Sequence, residues 1–310
     1  MRVFFAATPE IAIPTLEALT SRKLVCGVLT APDAPSGRGR TLTPSPVKVR
    51  AGELGIPVFT PMKLDGIFRE EIKPLNAGLL VSFAYGKIFG PKFLELFPLG
   101  GVNLHPSLLP RHRGPAPAPA AILSGDALTG LTLQTLALEM DAGDILAQRI
   151  LPLWGSETAA DILEWASETA PELLLGTLDH WETNFSSKIA QDPEKITFCT
   201  LLNKADGKID WAKSAVEIDR VVRAFTPWPG AFTEIQGKRL LVRHAQPASG
   251  GEEKPPGTVL GIDKRAGIRV QTGEGVLEIS LLQLEGKREA SHLDFANGNP
   301  NLKGTVLGVI

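Results

Sequence analysis

The sequence predicts an α/β fold, a Rossmann-like domain with a mostly parallel sheet, followed by a small OB-like β-barrel. Three observations carry this. The chain opens strand, helix, strand, with near-continuous apolar strands of the kind that helices cover on both faces. Its carboxyl-terminal third holds short apolar runs separated by Gly turns at hairpin spacing. Finally, 310 residues suffice for two domains, one of ordinary size and one smaller.

The totals narrow the function classes. A hydrophobic content of 43% with 21% charged residues fits a soluble globular protein, and a net charge of -2 excludes a uniformly basic nucleic-acid binder, so any RNA contact has to come from local patches. Cys26 and Cys199 sit far apart in apolar strings, which reads as two buried thiols in a reducing compartment, with neither a disulfide framework nor a zinc set. Met1 to Ala7 is too short an apolar run for a signal peptide, and no later run reaches the length of a membrane span. The expectation is a cytoplasmic protein with no membrane association. No segment reads as a long exposed apolar patch, so the expected state is a monomer.

Taken in order, Arg2 to Ala6 is a strand. Thr8 is read as a candidate cap for a helix whose first turn holds Pro9 and Glu10 and whose apolar face includes Ile11, Leu16 and Leu19. Leu24 to Thr30 is the second strand. The loop after it is locally basic: in Ala31 to Arg50, Arg38, Arg40, Lys48 and Arg50 face only Asp33, a surplus of three positive charges. Its Gly37-Arg38-Gly39-Arg40 core reads either as a solvated loop or as an arm for RNA phosphates, to which guanidinium groups are suited. Gly55 to Thr60 and Gly78 to Ser82 are further strands. Tyr85 reads as a packing residue with a polar end.

Gly101 to His105 is a short buried strand stopped by Pro106. Asn103 and His105 are two apart and so point to one side. Leu131 to Leu138 reads as the next strand and ends in Met140-Asp141-Ala142-Gly143-Asp144. Asp141 lies 38 residues after Asn103, so only a fold that returns the chain beside its earlier strand brings the carboxylate to the imidazole. An amide, an imidazole and a carboxylate at strand ends are what acyl transfer needs: an oxyanion donor, a proton carrier and a group that tunes it. Spacing alone equally allows Asn103 capping a turn, His105 a satisfied core histidine and Asp141 in an Asx turn.

Ile145 to Leu153 is a strand and Thr158 to about Trp181 one long helix. A turn signal at Gln191-Asp192-Pro193-Glu194 starts a linker. Beyond it come a helix from Ala215 to Phe225, a rigid Pro227-Trp228-Pro229 turn and strands at Ala231 to Gln236, Leu240 to Ala245, Gly257 to Ile262, Gly267 to Gln271 and Val276 to Leu284. The expected division is 1-188 for the catalytic domain, 189-206 for the linker and 207-310 for the second domain.

The string Asn103-Leu104-His105-Pro106-Ser107-Leu108-Leu109-Pro110, with Arg113-Gly114 and later Asp141-Ala142-Gly143-Asp144, resembles the signature of the folate-dependent formyltransferases. The run Thr30 to Lys48 is similar to the loop that one branch of this family inserts to grip an initiator tRNA. The pieces Gly207-Lys208-Ile209-Asp210-Trp211, Arg223-Ala224-Phe225, Pro227-Trp228-Pro229-Gly230 and Gln283-Leu284-Glu285-Gly286-Lys287 resemble the carboxyl-terminal domain of the same branch. Three departures stand out. Ala7 and Pro106 occupy positions where the family commonly has Gly, and His112 stands where a Trp is frequent.

The resemblance implies a Rossmann-like formyltransferase domain, 10-formyltetrahydrofolate as co-substrate, no metal, and the amino group of initiator methionyl-tRNA as acceptor. It implies Asn103, His105 and Asp141 as catalytic residues. The folate site would use the backbone of Gly86, Lys87, Ile88 and Phe89 beside Tyr85 for the pterin ring, Ser107, Leu108, Leu109 and Pro110 as a wall, and Asp144 to hold a loop over the ring. Arg38, Arg40 and Lys48 would contact the tRNA. Apart from the resemblance, Lys238, Arg239, Arg243, Lys264, Arg265 and Arg269 read either as a segregated cationic face for RNA or as an ordinary solvated barrel surface. Two other readings stay open: the same chemistry on a different acceptor, such as glycinamide ribonucleotide, a nucleotide-sugar amine or water, and a folate- or RNA-binding module without catalysis. A dinucleotide-binding oxidoreductase is disfavoured because Ala6-Ala7-Thr8-Pro9 lacks the glycine fingerprint.

Overall fold

The computed structural model describes residues 1–36 and 41–308. Arg38 and Arg40 therefore lie outside the described residues. The chain divides into two compact units, the first formed by Met1–Pro117, Leu128–Pro152 and Ile162–Thr200, the second by Ala118–Ala127, Leu153–Asp161 and the chain from Leu201 onward.

The first unit is built on a seven-stranded sheet. Its strands are β1 (Val3–Ala7), β2 (Val25–Leu29), β5 (Val58–Phe59), β6 (Leu79–Phe83), β7 (Gly101–His105), β8 (Leu128–Thr135) and β9 (Ile145–Pro152), while β3 (Ala34–Ser36) and β4 (Thr41–Thr43) form a separate ladder. The sheet order is β5-β2-β1-β6-β7-β8-β9. The first five are parallel, and β8 and β9 join antiparallel. The near-continuous apolar reading of the first strand has a direct cause. Val3, Phe5 and Ala7 enter one core with Leu16, Val81, Phe83 and Leu173, and Phe4 and Ala6 enter another with Phe68, Leu80, Phe93 and Phe97. Alternate residues of one strand thus serve opposite faces, each covered by helices. The order reverses beside β1: the chain builds outward to β5 and then returns to β6, which leaves a crevice at the carboxyl ends of the central strands.

Two sequence expectations shift. The strand read as Leu131 to Leu138 is Leu128–Thr135. It starts early because Gly130 lets it pass against β9, where a Cβ would lie 2.1 Å from the Arg149 oxygen. It ends early because Leu136 donates to the Gly101 oxygen and the chain then turns towards Asp141. The long helix is Ala159–Asp179, followed after His180 by a separate helix, Trp181–Ser186.

The second unit carries a six-stranded antiparallel sheet of β10 (Ala231–Ile235), β11 (Lys238–Ala248), β12 (Val259–Asp263), β13 (Gly267–Gln271), β14 (Val276–Leu284) and β15 (Ala290–Ser291). The order is β10-β11-β14-β13-β12, with β15 on β14. The helix Ala215–Ala224 begins at a capping box of Ser214 and Glu217 and lays Ile218 and Val222 on the sheet's core. Trp211 joins that core and spends its indole N–H on Thr233 Oγ1 at 3.0 Å. Among the described residues, no helix is long and apolar enough to cross a membrane.

Candidate active site

The site of the first unit starts at the carboxyl end of β7. Val102 and Leu104 point into the core, so Asn103 and His105 take the opposite side. The turn after β8 brings Asp141 to them. Asn103 Nδ2 lies 3.4 Å from Asp141 Oδ1, and His105 Nδ1 lies 3.6 Å from Asp141 Oδ2. The three residues read from the sequence are thus brought together. The carboxylate is anchored by shorter bonds from Gln134 Nε2 to Oδ1 and from the Gly114 peptide N–H to Oδ2, both at 2.9 Å.

Backbone geometry explains how Asp141 reaches this place. It adopts φ 52°, the left-handed region that Asp enters more readily than most residues. Gly143, two residues on, approaches β8 so closely that a Cβ would lie 1.7 Å from the Thr135 oxygen. Thr135 in turn accepts from the Asp144 peptide through Oγ1 at 2.9 Å. His112 is also left-handed, at φ 59°, and Gly114 has φ 124° with the Cys199 oxygen 2.3 Å from where a Cβ would stand.

The imidazole of His105 is buried, and its Nε2–H donates to the His112 oxygen at 2.9 Å. Burial pushes its pKa below the ordinary histidine value, and the Asp141 charge offsets this in part. With Nε2 carrying the proton, Nδ1 is the ring atom that faces the carboxylate. His112, the departure from Trp, is buried and works through its main chain: its oxygen fixes His105, and its N–H donates to Thr197 Oγ1 at 2.8 Å.

The loop after His105 is braced from beneath. Thr132 donates to the Ser107 oxygen at 2.7 Å and accepts from the Leu109 N–H at 3.1 Å, and Gln148 donates to the Leu109 oxygen at 3.0 Å. The Ser107 hydroxyl is consumed by the Arg111 oxygen at 2.7 Å. Ser107 and Leu109 are buried; Leu108 and Pro110 are partly open. At the end of β6, Tyr85 and Phe89 are buried and stacked with ring centroids 5.4 Å apart, while Gly86, Lys87 and Ile88 between them are exposed. Lys87 spends its ammonium on the Pro61 and Met62 oxygens. Exposed main chain over a stiff aromatic pair fits a planar ring that needs backbone donors and acceptors. Asp144 is paired with Lys188 at 2.7 Å. Lys48 has its charge taken by Asp33 at 2.6 Å. Arg50 likewise pairs with Glu17 and Glu53, so two of the cations in the basic stretch are already matched.

Several participants escaped sequence reading. Gln134 gave a signal, a polar residue inside an apolar strand. Gln191 and Thr197 gave none, because they lie in the stretch read as a linker, and Cys199 was legible only as a buried thiol, not as a neighbour of the site. Here that stretch is tied to the first unit by reciprocal bonds between Ile189 and Ile145, by Arg113 N–H to the Thr197 oxygen at 2.9 Å and by Cys199 N–H to the Arg113 oxygen at 2.8 Å. Burial pushes the Cys199 thiol up, which favours the neutral thiol seen against the His112 and Arg113 oxygens.

Similarity to known proteins agrees with this geometry. A family model described as formyl transferase matches residues 1–178, and one described as the formyl transferase carboxyl-terminal domain matches residues 201–300. A methionyl-tRNA formyltransferase of Treponema denticola is 46% identical, with 97% of this chain and 98% of that protein covered. One of Roseiflexus castenholzii is 40% identical over 99% of each. Among solved structures, an N-formyltransferase of Helicobacter canadensis in complex with folinic acid and dTDP-3-aminofucose superposes with a TM-score of 0.66 at 18% identity, covering 94% of this chain and 100% of that one. HypX of Aquifex aeolicus in complex with tetrahydrofolic acid gives 0.65 at 19% identity, covering 98% and 48%; at such identities these two speak for the fold alone. With relatives this similar along its whole length, the chain belongs to the formyl transferase family, among the methionyl-tRNA formyltransferases.

Proposed function

We propose that this chain transfers a formyl group from 10-formyltetrahydrofolate to the free amino group of initiator methionyl-tRNA, producing N-formylmethionyl-tRNA for translation initiation. The observation that carries the reading is the meeting of Asn103, His105 and Asp141 at the carboxyl end of β7, in a chain whose full-length relatives bear that name.

The residues divide the work as follows. Bound 10-formyltetrahydrofolate supplies an activated formyl carbon. Asn103 holds Asp141 only through a long contact of 3.4 Å, so its N–H can be redirected to the formyl oxygen as negative charge develops there; such a donor is typically worth roughly 3 kcal/mol of barrier. His105 has its Nε2–H committed to His112, so its free Nδ1 and the Asp141 carboxylate form the pair that takes the proton from the attacking amine and delivers one to the folate bridge nitrogen as the bond between that nitrogen and the formyl carbon breaks. The buried Tyr85–Phe89 stack and the braced Ser107 to Pro110 loop form the walls of the folate site, with Asp144 holding the loop after β8. Arg38, Arg40 and Lys48 contact tRNA phosphates. The enzyme works as a cytoplasmic monomer, which the two free thiols, Cys26 and Cys199, favour as far as compartment goes.

The test is formyl transfer from 10-formyltetrahydrofolate to charged initiator Met-tRNA, with free methionine and glycinamide ribonucleotide as competing acceptors. Transfer to Met-tRNA alone, lost in Asn103→Ala, His105→Ala and Asp141→Ala, supports the reading. Transfer to a small amine with the tRNA inert leaves the chemistry and overturns the acceptor.

A further inference from the structure

Asp141 presents its carboxylate from a left-handed backbone conformation, which Asp tolerates better than most residues but which fixes the carboxylate only if the turn is held. One side chain holds it from the other side of the turn. Gln191 Nε2 donates to the Asp141 oxygen at 2.8 Å and to the Gly143 oxygen at 2.7 Å, with the Gln134 Oε1 at 3.3 Å. Its Oε1 accepts from Arg113 Nε at 2.9 Å, which decides the amide's orientation, because a guanidinium can only donate. Arg113 is itself buried, and its main chain is laced to Thr197 and Cys199 of the same segment that carries Gln191. The other charged side chains on this turn, Glu139 and Asp144, are matched by Arg113 at 3.8 Å and Lys188 at 2.7 Å.

We infer that Gln191, oriented by Arg113, is a positioning residue for the proposed formyl transfer: it fixes the Asp141–Gly143 turn, and through it the direction in which the Asp141 carboxylate faces His105. This rests on the reading of Asp141 and His105 as the proton-handling pair. No other side chain bonds both carbonyls among the described residues, so the stretch carrying Gln191, which belongs to the first unit, serves the catalytic turn rather than acting as a spacer.

The experiment uses the full chain with Gln191→Met, Gln191→Glu, Asp141→Asn and the double variant Gln191→Met/Asp141→Asn. Two quantities are read: the titration of the His105 imidazole by NMR, assigned with His105→Asn, and the kinetics of formyl transfer. Gln191→Met removes the donor and releases the turn. His105 then loses the opposing charge and titrates lower than in wild type, as it does in Asp141→Asn, and kcat falls by about 100-fold with KM for folate near wild type. On the Asp141→Asn background the same change adds no further loss of kcat and no further titration shift. Gln191→Glu keeps the length and the Arg113 bond but cannot donate, so it loses kcat similarly even if Gln191→Met fails to fold. The inference is overturned if the Gln191 variants lose thermal stability while His105 titration and kcat stay at wild type, or if the losses multiply in the double variant. An enzyme whose wild type formylates no acceptor would defeat the functional reading alone, since the titration arm still decides whether Gln191 positions Asp141.

Discussion

The Nε2–H of His105 donates to the carbonyl oxygen of His112 at 2.9 Å, while Nδ1 of the same ring stands 3.6 Å from Asp141 Oδ2. One ring nitrogen is therefore structural and the other is available for chemistry. The neighbouring backbone, left-handed at His112, makes the first bond possible.

A pH dependence follows. Burial lowers the folded pKa of His105, so the unfolded chain takes up a proton first as pH falls. The group's contribution to stability is present above about 6.5 and is lost as pH drops from there through the lower folded value. Unfolding midpoints measured across that range should fall with pH in wild type, and this component should vanish in His105→Asn. The acid limb of kcat should also lie below the ordinary histidine value. Asp141→Asn, which removes the charge that partly restores the pKa, should move the titration of His105 further down; an upward shift would contradict the assignment.

Gly143 tests the turn from the opposite direction to Gln191. A Cβ there would stand 1.7 Å from the Thr135 oxygen, and that oxygen belongs to a strand inside the sheet. Gly143→Ala should destabilise the protein by about 1–3 kcal/mol, the usual cost of forcing atoms into a packed interior. It should also lower kcat, because the displaced turn carries Asp141. Denaturant unfolding and single-turnover kinetics measure the two effects, and a variant as stable and as fast as wild type would show that the turn tolerates displacement.

The basic stretch gives a test that separates its cations. Lys48 is neutralised by Asp33 at 2.6 Å and heads the helix Pro46–Glu53. Arg38→Ala should raise KM for tRNA and reduce the slope of log affinity against log salt by about 1, as loss of one phosphate contact does. Lys48→Ala should change both less. Equal effects would mean that the Lys48–Asp33 pair opens when tRNA binds.

How much of this was legible in the sequence depends on which force sets each feature. The opening strand could be read because burial on both faces demands an unbroken apolar run, and β1 obeys it residue by residue. Asn103 and His105 could be placed on one side by strand periodicity alone, with the family resemblance giving them roles. The register of β8 could not be read. It is set by a close approach at Gly130 and by a turn whose geometry answers to Asp141, neither of which leaves a pattern in hydrophobicity. Gln191 was invisible for a related reason: a polar residue beside an Asp-Pro turn looks like linker until the two carbonyls it satisfies are known.

Tyr85 offers a clean final measurement, because it is the only tyrosine in the chain. Its ring is buried and stacked on Phe89, and its hydroxyl is buried with no hydrogen-bond partner among the described residues. Burial raises the phenol pKa to about 12, so the neutral form is favoured by the fold. That contribution is intact below the ordinary value of about 10 and is lost as pH rises from there through the raised one. Tyrosinate absorbance in alkaline titration reports this single group and should stay flat through the ordinary range, rising only near the raised value or with unfolding. An unpartnered buried hydroxyl carries a desolvation cost of about 1–3 kcal/mol, so Tyr85→Phe should leave the ligand-free protein as stable as wild type or slightly more so. A lower melting temperature in Tyr85→Phe would mean that the hydroxyl has a partner in solution, such as a bound water, and that its role is polar rather than one of packing.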